Sequence, residues 1–206
     1  MKLVALTGAG ISKASGVPTF DELGDIRDKL SREYFNEHPQ EFYDILLKMK
    51  DIITSSKPNR AHLALAEYKI PIVTMNVDGL HRAAGSKEII EIHGNLDYVS
   101  CKGCKEDYPF EILRKSIYCG GCNQLLEPNV VLYGDEIPQY FDAINLIDSS
   151  NRLLVVGTSF YTSTVNDLVF MAETAGIKVD IINAEAEIEV EKYLKEVLKH
   201  QESFSE

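Results

Sequence analysis

Residues 2–12 read KLVALTGAGIS, and the reading of that stretch decides the fold. Lys2 to Leu6 is a short apolar run that stops abruptly at Thr7-Gly8-Ala9-Gly10. A glycine turn directly after a strand is how an open α/β sheet presents its first loop to a ligand. Further short β-branched runs follow at Ile70 to Thr74, Ile89 to Ile92, Leu153 to Val156 and Val179 to Ile182. Helical or loop sequence separates them. Phe42, Ile45, Leu46, Met49 and Ile53 share one helical face, and Arg60 to Tyr68 reads as another helix. A last helix over 187–200 carries Ile188, Tyr193, Leu194, Val197 and Leu198 as its inward stripe. This alternation predicts an α/β fold with a mostly parallel sheet covered by helices.

A chain of 206 residues with 45% hydrophobic and 26% charged residues fits one globular domain carrying a small insertion. Lys+Arg is 21 against Asp+Glu 32, a net charge of -11. That balance argues against non-specific binding to nucleic acid or an anionic membrane. No apolar run approaches the ~18 residues of a membrane span, and the first residues read as a strand rather than a signal sequence. A cytoplasmic location is the expectation.

Two segments break the alternation: 21–37, polar and charged, and 98–126, which holds all four cysteines. Cys101-x-x-Cys104 and Cys119-x-x-Cys122 are two knuckles with fourteen residues between them. Such a pair places four thiolates on one tetrahedral ion, and closed four-cysteine sites of this kind are structural zinc sites. A redox CxxC is the rival reading. With no His nearby, this zinc would hold a fold together and do no chemistry.

Gly8-Ala9-Gly10 alone also fits a plain strand-to-helix turn, since Lys13 stands where a third glycine would complete the dinucleotide fingerprint. Polar groups at four other strand ends raise its weight: Asn76 and Asp78, His93-Gly94, Gly157-Thr158-Ser159, and Asn183 with Glu185. Ligands of open α/β sheets bind outside the carboxyl ends of the strands. Together these residues describe a site for a large polar ligand such as a dinucleotide. Ser12 offers a hydroxyl at a helix start, where phosphate is favoured. His93 ends a buried strand beside a glycine and is the candidate general base. His62 reads as packing, His81 as either packing or site, and His38 and His200 as solvated.

These residues together resemble the sirtuin family, the NAD-dependent protein deacylases. The matching stretches are GAGIS at 8–12, SGVPTF at 15–20, PNRAH at 58–62, NVDGLHRAAGS at 76–86 and IHGNL at 92–96. The paired knuckles, PNVVLYGD at 128–135, VVGTS at 155–159 and INAE at 182–185 follow in the family's order. The resemblance implies a Rossmann-like parallel sheet with helices on both faces, formed by residues 1–20, 69–97 and 127–206. A small module would combine a cofactor loop and helical insert (21–68) with a four-cysteine zinc ribbon (98–126). NAD would lie against Gly8, Ala9, Gly10, Ser12, Phe20, Asn76, Asp78, His93, Gly157, Thr158, Ser159, Asn183, Ala184 and Glu185. An acylated lysine-containing protein or peptide would pair with Val131, Leu132, Tyr133 and Gly134 as an added strand. His93 would be the base, with Asn76 and Asp78 ordering the nicotinamide and ribose end.

The chain departs from the family at several points. Asp21 stands where Arg usually follows the Phe, and the loop after it is short. Met75 replaces a Gln, Asp135 a Glu, and Thr162-Ser163-Thr164 the usual V-x-P. Little chain remains after Glu185 to cover the adenine, and no helix precedes the first strand. Arg27, Arg32 and Tyr34 lie near the region that selects acidic acyl groups without a clear alignment to it. The expected activity is NAD-dependent deacylation, with deacetylation as the default. The alternatives are mono-ADP-ribosyl transfer or NAD hydrolysis, and a non-catalytic NAD or ADP-ribose binding module.

Overall fold

A computed structural model of the chain describes residues 2–19, 22, 24–160 and 163–202. Phe20, Asp21 and Thr162 therefore lie outside the described residues. The first half contains β1 (Leu3–Thr7), α1 (Arg32–Glu37), α2 (Pro39–Ser55), α3 (Arg60–Glu67), β2 (Ile72–Thr74), α4 (Leu80–Ala83), β3 (Ile89–Glu91) and β4 (Gly94–Cys101). The second contains β5 (Glu106–Pro109), β6 (Glu127–Val130), α5 (Tyr140–Asp148), β7 (Arg152–Val156), α6 (Ser163–Thr174), β8 (Lys178–Ile182) and α7 (Ala186–Glu202).

Five strands form one parallel sheet in the order β3-β2-β1-β7-β8. All five are the apolar runs expected from the sequence. Alternation along the strands assigns the two faces. Val4, Leu6, Val73, Leu153 and Val155 pack under α5 and α6 through Ala143, Ile147, Val165 and Leu168. Leu3, Ala5, Ile72, Leu154 and Val156 pack under α3 and α7 through Ala61, Leu65, Val190 and Leu194. The stripe of α7 differs from expectation: Ile188 is 56% exposed, and Ala186, Val190 and Leu194 face inward four residues apart. The order reverses around β1, which sends the loops after β1 and β7 into one crevice.

A second, antiparallel sheet, β5-β4-β6, carries the cysteines. Its core is continuous with the insert helices: Phe35, Phe42, Tyr43 and Leu46 pack with Val99, Phe110, Leu113 and Leu126. The Tyr43 hydroxyl donates to the Leu126 carbonyl across that seam. The insert and the ribbon therefore share one core. Among the described residues no helix is long and apolar enough to cross a membrane.

Candidate active site

Gly8 and Gly10 bring the turn after β1 against the turn after β7. Gly10 N–H donates to the Gly157 carbonyl at 2.8 Å. A Cβ on Gly10 would lie 2.7 Å from Gly157 Cα, and one on Gly157, whose φ is +64, would lie 2.2 Å from Ile11 N. No side chain fits between these backbones. Gly157→Ala is therefore expected to lose about 1–3 kcal/mol from the left-handed backbone alone, with the clash added. Urea unfolding and ADP-ribose calorimetry check it; unchanged stability and binding would contradict the packing.

The cleft beside these turns has a volume of about 650 Å³. Gly8, Ala9, Gly10, Met75, Asn76, His93, Gly157, Thr158, Ser159, Asn183, Ala184 and Glu185 line it, and so does Lys13. Its size and its place at the carboxyl ends of the strands fit a dinucleotide. Asn183 ties two of its loops together, accepting Thr158 N–H at 3.0 Å. A narrower channel of about 90 Å³ opens beside it, walled by Val17, Leu30, Leu46, Met49, Ile53, Val77, Val131 and Leu132. Ala9, Met75, Asn76 and His93 line both spaces.

His93 Nδ1 lies 3.1 Å from the Met75 carbonyl. A carbonyl only accepts, so the neutral ring holds its proton on Nδ1 and leaves Nε2 bare. Burial lowers the pKa of His93, with the Met75 carbonyl opposing it in part. The imidazole is thus a neutral base at pH 7. Gly94 permits this placement: its φ is +72, and a Cβ there would lie 2.1 Å from the Asn129 carbonyl.

Asn76 uses both amide hydrogens internally, on the Gly8 carbonyl and on Ser12 Oγ, each at 3.2 Å. Its Oδ1 has no partner among the described residues and stands as an acceptor where the two spaces meet. Ser12 is fully buried and donates to Asp78 Oδ2 at 2.6 Å. Its hydroxyl therefore faces this carboxylate, and not the phosphate expected from its position at a helix start. Asp78 also accepts Leu80 N–H at 2.9 Å.

The network continues to His62, Thr7 and Thr74, which sequence reasoning missed as site residues, and to His81, which it leaves open as packing or site. His62 Nδ1 accepts Asn59 N–H at 3.3 Å in the capping box of α3, and Nε2 lies 3.3 Å from Ser12 Oγ. The signal was available, because Asn three residues before His at a helix start is a capping pattern. His81 Nε2 lies 2.9 Å from Thr7 Oγ1, which donates to Thr74 Oγ1 at 2.8 Å. Thr74 Oγ1 in turn accepts Asn76 N–H at 3.1 Å. A ladder of buried hydroxyls and imidazoles thus fixes Asn76 from below.

Burial pushes His62 down to about 4, with Asp78 opposing the shift, and holds His81 well below 6.5. The unfolded chain binds protons near 6.5 that the folded chain refuses, so stability falls as pH drops from 6.5 towards 4. Each unit of difference is worth about 1.4 kcal/mol. Urea midpoints at pH 7 and 4.5 should show this drop, and His62→Gln should shrink it. An unchanged slope in the variant would contradict the assignment.

The four cysteine Sγ atoms lie within 4.8 Å of one another. Cys101 to Cys122 is 3.4 Å and Cys104 to Cys119 is 3.7 Å. Tetrahedral bonds of about 2.3 Å to zinc require sulfur–sulfur edges of about 3.8 Å. The set fits one zinc ion, with Cys104 N–H and Gly121 N–H each 3.4 Å from a sulfur to stabilise the thiolates.

A bare imidazole nitrogen between a nucleotide-sized cleft and an apolar channel is the arrangement a group-transfer enzyme needs, whereas binding alone needs no base. Comparison with known proteins narrows this class. The Sir2 family model matches residues 8–164. A protein of Bacillus cereus named NAD-dependent protein deacetylase is 37% identical over 200 residues, covering 89% of this chain and 82% of that one. One of the same name from Thermotoga maritima is 34% identical over 198 residues, covering 87% and 80%. A Sir2 structure bound to 2'-O-acetyl-ADP-ribose and a deacetylated p53 peptide superposes with a TM-score of 0.84 at 30% identity, covering 95% of this chain and 93% of that one. One bound to a propionylated peptide gives 0.85 at 30% identity, covering 95% and 92%. The chain belongs to the Sir2 family.

Proposed function

We propose that this protein removes acyl groups, acetyl by default, from protein lysine side chains, consuming NAD and releasing nicotinamide and O-acyl-ADP-ribose. One observation carries the reading: His93 stands in the wall common to the two spaces, with Nε2 bare. The deacetylase names of relatives at 34–38% identity support it. NAD, when bound, supplies the ribose carbon that takes the acyl oxygen as nicotinamide departs.

The remaining work belongs to this chain. The glycine turns at 8–10 and 157 admit the dinucleotide backbone to backbone, with Asn183 bracing the far wall. Asn76 Oδ1 accepts a hydrogen bond from the carboxamide of the nicotinamide end. Asp78 and Ser12 orient Asn76. His93 Nε2 takes the proton from a ribose hydroxyl, and the Met75 carbonyl steadies the resulting imidazolium through Nδ1. The apolar channel receives the lysine stem and its acyl group and keeps water from the reacting carbon. Val131 to Gly134 receive the peptide backbone, and the four cysteines hold the zinc that braces the channel's outer wall.

Residues 1–20, 69–97 and 127–206 form the nucleotide unit in this reading, and 21–68 with 98–126 the acyl-lysine module; the common core of Phe42, Phe110 and Leu126 supports joining the last two. The surplus of acidic residues supports a protein partner and no direct nucleic-acid partner. Four thiolates reserved for a metal fit a reducing, cytoplasmic setting.

Stoichiometry tests the assignment. Nicotinamide release should require an acyl-lysine peptide and match its deacylation one to one. Release without peptide would instead mark an NAD glycohydrolase or ADP-ribosyltransferase.

A further inference from the structure

The turn that follows β6 is bolted to the segment ahead of α1 by more bonds than a surface turn needs. Tyr133 N–H donates to the Leu30 carbonyl at 3.1 Å, and Arg32 N–H donates to the Tyr133 carbonyl at 3.0 Å. Ser31 and Tyr133 thereby form a parallel bridge. The Arg32 side chain then forks onto Asp135, with Nε to Oδ1 and Nη2 to Oδ2 both at 2.8 Å, while Nη1 donates to Glu127. Asp135 Oδ2 also accepts Leu132 N–H at 3.1 Å, and Asp135 N–H donates to the Leu132 carbonyl at 2.9 Å.

Two-pronged, charge-assisted bonds of this kind fix orientation as well as distance. Arg32 and Asp135 are only 29% and 20% exposed, so water screens the fork weakly. The fork holds the Asp135 carboxyl below its ordinary range. Two features of the turn depend on it. Leu132, buried, forms part of the channel wall. Tyr133 has both backbone groups committed to the chain's own segment, whereas the Val131 carbonyl and Gly134 N–H take no partner among the described residues. Those two groups remain available to an incoming strand, and the bolted turn carries both of them.

We propose that Arg32 and Asp135 are positioning residues for the acyl-lysine peptide. They set the register of the backbone groups that receive it and the placement of Leu132 in the channel wall. The inference rests on reading 131–134 as the peptide-binding segment. Neither Arg32 nor Asp135 lines the dinucleotide cleft, so their effect falls on peptide and not on NAD.

The test compares Arg32→Met, Asp135→Asn, the two combined, and Asp135→Glu. Asn keeps an acceptor for Leu132 N–H and removes the charge and the second prong of the fork. Separate KM values for acyl-peptide and NAD are measured, with peptide affinity read independently by fluorescence anisotropy. Expected is an increase of about tenfold in peptide KM and Kd for each single variant. The double variant is no worse than either, because the pair acts as a unit. NAD KM and kcat stay within about twofold, and Glu recovers most of the loss. Equal rises in both KM values, a fall in kcat alone, or unchanged peptide affinity would overturn the proposal. Should the unsubstituted protein leave every acyl-peptide intact, the deacylase reading fails; anisotropy still decides the fork, and absence of peptide binding would overturn it too.

Discussion

Replacing His93 with alanine lowers deacylation by about 10²–10⁴-fold, the usual worth of a positioned base, and leaves the chain folded. The substitution removes one imidazole from the wall between cleft and channel, and with it the contact to the Met75 carbonyl. ADP-ribose affinity should change little, since Gly8, Gly10, Gly157 and Asn183 line the cleft from other elements. The pH profile of the unsubstituted protein gives a second check. A base must be neutral to act, and burial moves His93 below its ordinary 6.5. The rate with peptide therefore stays flat above pH 7 and falls only on the acid side of 6.5. A profile that breaks well above 7 would assign the base to another group.

Removing the metal carries the second large effect. Cys101 and Cys119 are buried in the same core as Phe42, Tyr43, Phe110 and Leu126. Structural zinc contributes about 10–16 kcal/mol of apparent folding free energy in small finger peptides. Whole domains have only about 5–15 kcal/mol in total. Cys101→Ser with Cys119→Ser, or a strong chelator, should therefore melt the β4-β5-β6 module. Leu46 and Leu132 belong to this core and also wall the channel, so peptide turnover is lost with it. Metal analysis should find one zinc per chain in the intact protein and none in the double variant. A metal-free chain with unchanged melting and activity would refute a structural zinc.

The sheet was legible because its central strands β1, β2 and β7 are buried on both faces, which writes them as unbroken apolar runs such as LVAL and LLVV. Its ligand edge was legible for the same reason: whatever follows such a run abruptly, Gly8 or Asn76 or His93, must sit at a strand end. Weaker signals failed. β4 alternates poorly because its pairing with β6 slips between Gly94 and Val99. α5 and α6 carry no clear stripe in the sequence; α5 buries only Ala143 and Ile147, too few for a periodic signal. The buried ladder of His62, His81, Thr7 and Thr74 was hidden because no residue in it, taken singly, marks a site: His62 reads as packing and His81 as packing or site alike. Only the fold brings them beneath Asn76. Arg32 and Asp135 meet across 103 residues of sequence, a pairing that no local pattern encodes.

The most direct test of the account is mass spectrometry of the products formed from NAD and an acetyl-lysine peptide. The account predicts deacetylated peptide, nicotinamide and acetyl-ADP-ribose in equal amounts. Nicotinamide formed while the peptide keeps its acetyl group, or acetate released without NAD being consumed, would contradict it.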